Sequence, residues 1–296
     1  MQTIVPHIWL NGVADEAAQF YLAAFPEAHV VATETYPTEG LPEFQREYAG
    51  RTMSITLEIG GYRLALINAG DEFTPNPAIN FFVNFDPAFR IDARGDLDRT
   101  WYRLTEGGQV HTELGDYPFS PRYGWVQDKY GVNWELMLTN PDGDPRPFLI
   151  PSLMFCGPVQ NKAGEAVDHY LSVFPDARLG DRVHYDRDNG VVTTDSVIFS
   201  DFQLAGEWLS AMDSAVEQPF TFTPGVSLLV NAHGQEEIDR LWAALAADPD
   251  DGQCGWLTDR YGVSWQIVPD NLDELLSRPG GYGRFMEMKK IEIDRF

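Results

Sequence analysis

The stretch GWVQDKYGVNWELM, residues 124–137, returns near the end of the chain as GWLTDRYGVSWQIV, residues 255–268. Both copies hold Gly-Trp, then an Asp, then Tyr-Gly-Val and a second Trp at the same spacing. In each, Gly131 or Gly262 is suited to a tight turn between two strands, and the Trp and Tyr side chains are large enough to fill core between sheet and helices. One carboxylate differs: Glu135 of the first copy is Gln266 in the second. A phrase written twice points to an internal duplication, which should leave other matched blocks in the same order.

It does. PHIWLNG from Pro6 matches PSLMFCG from Pro151, and both read as short strands ending near Gly12 and Gly157. EAAQFYLAAFPEA from Glu16 matches EAVDHYLSVFPDA from Glu165. Apolar residues at 17, 20, 21, 24 and 25, and at 166, 170, 173 and 174, fall on one helical face. Pro26 and Pro175 stop the two helices. FFVNF at 81–85 matches LLVNA at 228–232, and each leads to a helix that shares Asp-Arg-x-Trp, from Asp96 and from Glu236.

Within each half a strand, a helix and three strands are followed by a second strand and helix. The three strands read as VVATETY, TMSITLEIGG and YRLALINA in the first half, and as RVHYDR, VTTDSVIFS and FQLAGEWLS in the second. Gly60-Gly61 signals a hairpin. Period-two strands beside two helices per half predict an α+β fold with helices on one face of a mixed, mostly antiparallel sheet. NPDGDPRPF, 140–148, reads as a linker between domains 1–146 and 147–296. NLDELLSR is predicted to begin a C-terminal helix, and GRFMEMKKIEIDRF a further short element.

Composition narrows the function classes. Lys+Arg 21 against Asp+Glu 45 gives a formal net charge of −24. Such a field repels phosphate backbones and anionic lipid, so neither nucleic acid nor membrane is an expected partner. Only four Lys occur, at 129, 162, 289 and 290. Cys156 and Cys254 are too few for a disulfide framework or a cysteine zinc site. MQTIVPHIWLNG lacks the charged start and apolar core of a signal peptide, and no apolar run approaches the roughly 20 residues of a membrane span. The cytoplasm is therefore the expected compartment.

The order β-α-β-β-β, twice per half, with Phe-Tyr-x-x-x-Phe in the first helix and Asp-x-x-Gly-x-x-Trp near the end, resembles the vicinal oxygen chelate superfamily, the glyoxalase and bleomycin-resistance fold. The Pro-x-x-Trp/Met-x-x-Gly strand, the doubled phrase and the MKKIEID tail are more narrowly similar to the PhnB-like family. Many of its members are called 3-demethylubiquinone-9 3-methyltransferase. That likeness implies tandem domains, each of two βαβββ modules curling into an open sheet around a ligand, with the helices outside. A usual methyl-donor site would show a Gly-rich turn between strand and helix, and no such turn follows a strand here, so methyl transfer is expected in name only.

Catalytic members of the superfamily hold a divalent metal with His and Glu side chains, one per strand, which leaves positions open for substrate oxygens. Matched onto the first half, the resemblance implies His7 and Glu135 as candidate ligands, with Asn80 where a second His would stand and Ala65 or Ile67 at the remaining position. In the second half the positions fall on Ser152, Ser227, Gln266 and either Ala205 or Glu207, which would hold a cation poorly. The expected pocket therefore comprises His7, Trp9, Asn80, Phe82, Trp134 and Glu135, with Ser152, Met154, Glu207, Ser227 and Gln266 in the second half. A divalent metal is allowed for but not required. Small-molecule binding is the leading expectation, with a metal-dependent lyase, isomerase or dioxygenase as the alternative. A third is that the second half survives chiefly as a folding partner. One chain supplies both copies, so a pseudo-symmetric monomer or a homodimer is expected.

Overall fold

The computed structural model describes residues 2–296. Four modules follow one another along the chain. Module one contains β1 (Ile4–Asn11), α1 (Ala14–Ala24), β2 (Ala28–Thr35), β3 (Thr52–Ile59) and β4 (Tyr62–Ala69). Module two contains β5 (Ile79–Phe85), α2 (Ala93–Leu104), β6 (Gln109–Tyr117), β7 (Ser120–Gln127) and β8 (Asn133–Leu138). Module three contains β9 (Leu149–Phe155), α3 (Ala163–Val173), β10 (Arg178–His184), β11 (Val197–Leu204) and β12 (Glu207–Asp213). Module four is shorter, with β13 (Val226–Ala232), α4 (Gly234–Leu245), β14 (Trp256–Thr258) and β15 (Ser264–Pro269). Its missing strand corresponds to the Asp-, Pro- and Gly-rich run at 247–252, which favours turns over a ladder. The tail adds α5 (Leu272–Ser277) and α6 (Gly281–Glu287).

The fold is α+β with two mixed sheets. The first sheet has seven strands in the order β14-β15-β13-β1-β4-β3-β2, and the second has eight in the order β10-β11-β12-β9-β5-β8-β7-β6. Modules one and four thus make the first sheet, and modules two and three the second. The expectation that consecutive modules curl into one sheet is corrected by these pairings. They are made at β1 with β13 and at β5 with β9, both antiparallel. The helices cover the outer faces, with α1 against β2, β3 and β4, and α3 against β9, β11 and β12.

A second correction concerns module three. FQLAGEWLS, expected to be one strand, is broken by a two-residue hairpin turn at Ala205 (φ 49°) and Gly206 (φ 87°), which pairs Leu204 with Glu207. Gly60 (φ 57°) and Gly61 (φ 83°) make the matching turn in module one. Ala205 stands where the first copy has Gly, so the usual glycine signal for a left-handed turn is half erased.

The doubled phrase is a joint. Asp128, buried in the turn between β7 and β8, accepts backbone N–H bonds from Tyr130 (2.8 Å) and Val132 (3.1 Å) on Oδ1. Its Oδ2 accepts from Tyr21 Oη on α1 and from Trp134 Nε1 on β8, both at 2.8 Å. Asp259 does the same for Tyr261, Val263, Tyr170 on α3 and Trp265. Each Asp therefore ties the helix of one module to the last hairpin of the next. Gly131 (φ 86°) and Gly262 (φ 88°) close these turns in a conformation that a side chain disfavours. Consecutive modules are thus held together at their helices, while their strands pair with the other half of the chain.

Candidate functional site

In a strand, alternate residues face opposite sides. On β1, Ile4, Ile8 and Leu10 pack in the core, while Val5, His7 and Trp9 look into a cavity of about 880 Å³ on the inner face of the first sheet. Leu229 and Asn231 of β13 and Gln266 and Val268 of β15 continue the same surface. Trp9 donates its Nε1–H to the Gly70 carbonyl at 2.8 Å and stands edge-on to Phe73 (5.2 Å) and Trp256 (6.1 Å). Trp256, the second residue of the later phrase, pairs directly with Gln266 across the β14–β15 hairpin.

The cavity mouth is built from parts distant in sequence. A short helical turn at Glu43–Tyr48, the 251–254 loop and the tail helices all line it. Tyr282 Oη donates to Gln45 Oε1 at 2.8 Å, which joins α6 to module one. The tail is fixed by backbone bonds from Cys254 N to Met288 O and from Gly255 N to Lys289 O, both 2.8 Å, and by burial of Ile291.

Two polar side chains sit on the cavity floor. His7 has Ala65 on one side and Ser227 on the other in the sheet register. Neither of its ring nitrogens has a hydrogen-bond partner among the described residues, and desolvation by burial lowers its pKa to about 4. The ring is therefore uncharged at neutral pH and offers one N–H and one bare nitrogen. Gln266 is buried and donates from Nε2 to Ser227 Oγ at 2.8 Å, which leaves its Oε1 without a donor among the described residues.

The second sheet is built on the same plan but its inner face is filled. Matched through the repeats, Phe82 stands where the first sheet has Leu229, Met137 where it has Val268, and Ile150 where it has Val5. Phe82 meets Phe199 edge-on at 6.2 Å. What remains is a cavity of about 120 Å³. Its wall includes Arg146 of the linker, which lies over the Trp208 ring (4.1 Å) and donates to the buried carboxylate of Asp201 at 2.7 Å. The chain thus places its own guanidinium on this face. Replacing Arg146 by Ala should destabilise the protein by about 3 kcal/mol, measured by urea unfolding, because Asp201 would keep a buried charge without its counter-ion.

Glu135 lies on this filled face. It is buried and accepts a hydrogen bond from Tyr123 Oη; desolvation raises its pKa to about 7 against the lowering effect of that bond. Asn80, Ser152 and Ser210 form a row beside it on three adjacent strands, and each has a side-chain oxygen with no partner. Met154 is buried on β9.

The residues expected in one pocket are therefore divided. His7, Trp9, Ser227 and Gln266 belong to the first sheet; Asn80, Phe82, Glu135, Ser152 and Met154 belong to the second. Trp134 faces no pocket, since it neighbours Glu135 on the strand and points the other way, against Phe25 (4.8 Å) and Phe81 (5.1 Å). Glu207 accepts from Thr3 N at 3.4 Å, and the register puts Ser210 in the inward position beside Ser152. Sequence reading missed Glu34, Tyr36, Asp273, Tyr282 and Phe285 of the cavity wall. Trp256 was within reach, because its hairpin register with Gln266 follows from the phrase itself.

The four inward positions of the first sheet hold His7, Ala65, Ser227 and Gln266; those of the second hold Ser152, Ser210, Asn80 and Glu135. Each set contains one strong donor among weak or absent ones, so the residues do not fit a divalent cation. Among the described residues no group of three or more His, Cys, Asp or Glu side chains is arranged to hold a metal. His7 and Glu135, paired as candidate ligands from the sequence, lie on different sheets.

Comparison with known proteins agrees with this architecture. The family described as 3-demethylubiquinone-9 3-methyltransferase matches residues 2–137 and again 147–268. The PhnB protein from Bacillus cereus is 28% identical, with the match covering 47% of this chain and 100% of that one, at a TM-score of 0.39. Glyoxalase I from Zea mays is 14% identical, with 92% of this chain and 96% of that one covered, at a TM-score of 0.54; that likeness concerns the fold alone. No curated protein matches the chain. No helix among the described residues is long and apolar enough to cross a membrane. Two separate matches on two halves, over four modules in two glyoxalase-like sheets, establish that this chain belongs to the PhnB-like 3-demethylubiquinone-9 3-methyltransferase family of the vicinal oxygen chelate fold.

Proposed function

We propose that the chain is a binding protein for a small organic molecule bearing an aromatic ring, held in the first-sheet cavity. The observation that carries this reading is the contrast between two sheets of one design. One holds a cavity of about 880 Å³, walled further by the Glu43–Tyr48 turn, the 251–254 loop and the tail, and the other about 120 Å³, lined by Phe82, Met137, Ile150 and Arg146. A cavity with apolar and aromatic walls and a few convergent polar groups is the usual form of a small-molecule site. Trp9, Phe73 and Trp256 offer ring edges and faces, while His7 and Gln266 orient one polar atom of the ligand. The methyl transfer in the family's description has no residue-level support in this chain and stays with the family.

Acridine, a neutral three-ring fluorophore at mildly alkaline pH, is a suitable probe of the cavity. It is expected to bind the wild-type protein in a fluorescence titration and to lose affinity several-fold in the Leu229→Phe, Val268→Met double variant, which puts the second sheet's larger side chains on the cavity floor. The variant should unfold within roughly 1 kcal/mol of wild type, since the added atoms enter open space. Equal acridine binding by the two proteins would remove the cavity from the account.

A further inference from the structure

The wall of this cavity carries more negative charge than the described residues balance. Glu34 on β2 is half-buried and accepts from Ser54 Oγ at 2.9 Å, but has no cationic partner among the described residues. Asp273, in the first turn of α5, lines the same cavity, also without an ion-pair partner, as does Asp251. Asp270 has only His233, at 2.9 Å. Arg63, the one Arg or Lys in the lining, is engaged by Glu58 at 3.1 Å. Desolvation raises the Glu34 carboxyl, against the lowering effect of the Ser54 bond, and the nearby charge of Asp273 raises it further. A partly desolvated carboxylate facing a second one is costly, and a bound cation would relieve it.

Two further observations point from this charge to a ligand. Gln266 is buried and lines the cavity with a carbonyl oxygen that no protein donor meets. Aromatic rings stand in the same lining as the carboxylates: Trp9, Phe73 and Trp256 from the sheet side, Tyr36 just after β2 and Tyr282 on α6. A cation held near an aromatic face gains from the ring quadrupole as well as from the carboxylates. Asp273, Tyr282 and Phe285 come from residues beyond 268, where the family match ends, so this part of the wall is supplied by the tail.

We propose that the first-sheet cavity selects a cationic aromatic molecule, an aryl ring carrying a protonated amine or amidine, with Glu34 and the tail residue Asp273 as its anionic pole. This rests on the binding reading above and narrows it to a ligand class. Asp273 is a specificity-determining residue, and the tail is a fixed wall rather than a moving lid, since its backbone is bonded to Cys254 and Gly255.

The test compares acridine with 9-aminoacridine, which has the same ring system and carries a positive charge near neutral pH. The full chain and its Asp273→Asn, Glu34→Gln and Leu229→Phe, Val268→Met variants are titrated with both. The cation should bind wild type about tenfold more tightly than acridine. Asp273→Asn and Glu34→Gln should each cost the cation several-fold and leave acridine unchanged. Equal affinities for the two probes, or carboxylate variants without effect on the cation, would overturn the charge assignment while the cavity reading stands. If the floor variant and both carboxylate variants all bind 9-aminoacridine at full strength, the probe lies outside the cavity and both readings fall.

Discussion

Replacing Glu135 by Gln is expected to stabilise the protein by about 3 kcal/mol at about pH 8, and by almost nothing at about pH 4. Burial raises the Glu135 pKa from 4.5 to about 7, so between those values the folded protein holds a proton that the unfolded chain has released. A raised carboxyl pKa contributes most below its unfolded value, and the contribution is lost as pH rises through the folded one. Above that point the folded protein carries an ionised carboxylate in a dry site. Gln removes the charge at every pH and keeps the shape. Its Oε1 can accept from Tyr123 as the carboxylate does. The chain has made this change once already, at Gln266, which donates to Ser227. Asn80 occupies the position of Ser227 in the second sheet, and its unpartnered Oδ1 would receive the new N–H. Urea unfolding of wild type and variant at the two pH values measures the difference. An equal gain at both, or a loss at the higher pH, would mean that Glu135 is not titrating as described.

The Asp128→Ala variant should lose about 4 kcal/mol of stability, and Asp259→Ala about the same. Removing Asp128 leaves Tyr21 Oη and Trp134 Nε1 buried without an acceptor and strips the turn of two backbone bonds. Burial pushes the Asp128 carboxyl up and its four donors pull it down, so the donors are what make a carboxylate tolerable there. Tyr21→Phe removes one of the four and should cost about 1 kcal/mol. Asp142→Ala, exposed in the linker, should change stability by less than roughly 0.5 kcal/mol and serves as the control. Denaturant unfolding checks all four variants. A small loss at Asp128 would show that the phrase is written twice for some reason other than joining helix to hairpin.

The candidate site was only half legible in the sequence. His7, Trp9, Ser227 and Gln266 were all named, since they occupy fixed positions in repeated blocks, but two were assigned to one half of the chain and two to the other. The cavity unites them because β1 pairs with β13. Glu34, Asp273 and Tyr282 carry no repeated motif; they reach the cavity through a sheet edge and a tail whose placement depends on long-range contacts. Arg146 lies in the stretch read as a linker and is paired with Asp201, far along the chain.

Residue order alone determined what is local: the duplication, the alternation of each strand, the helix faces stopped by Pro26 and Pro175, and the Gly-closed turn of the doubled phrase. These follow from side-chain period and backbone freedom within about ten residues. Which modules share a sheet was left to tertiary structure. β1 and β9 are near-copies, as are β5 and β13, so their edge N–H and C=O groups are interchangeable partners in hydrogen bonding. In the folded chain the joints at Asp128 and Asp259 hold consecutive modules helix to hairpin, and their strand edges pair across the halves. Only that pairing put His7 beside Ser227, and Asn80 beside Ser152 in a face already full.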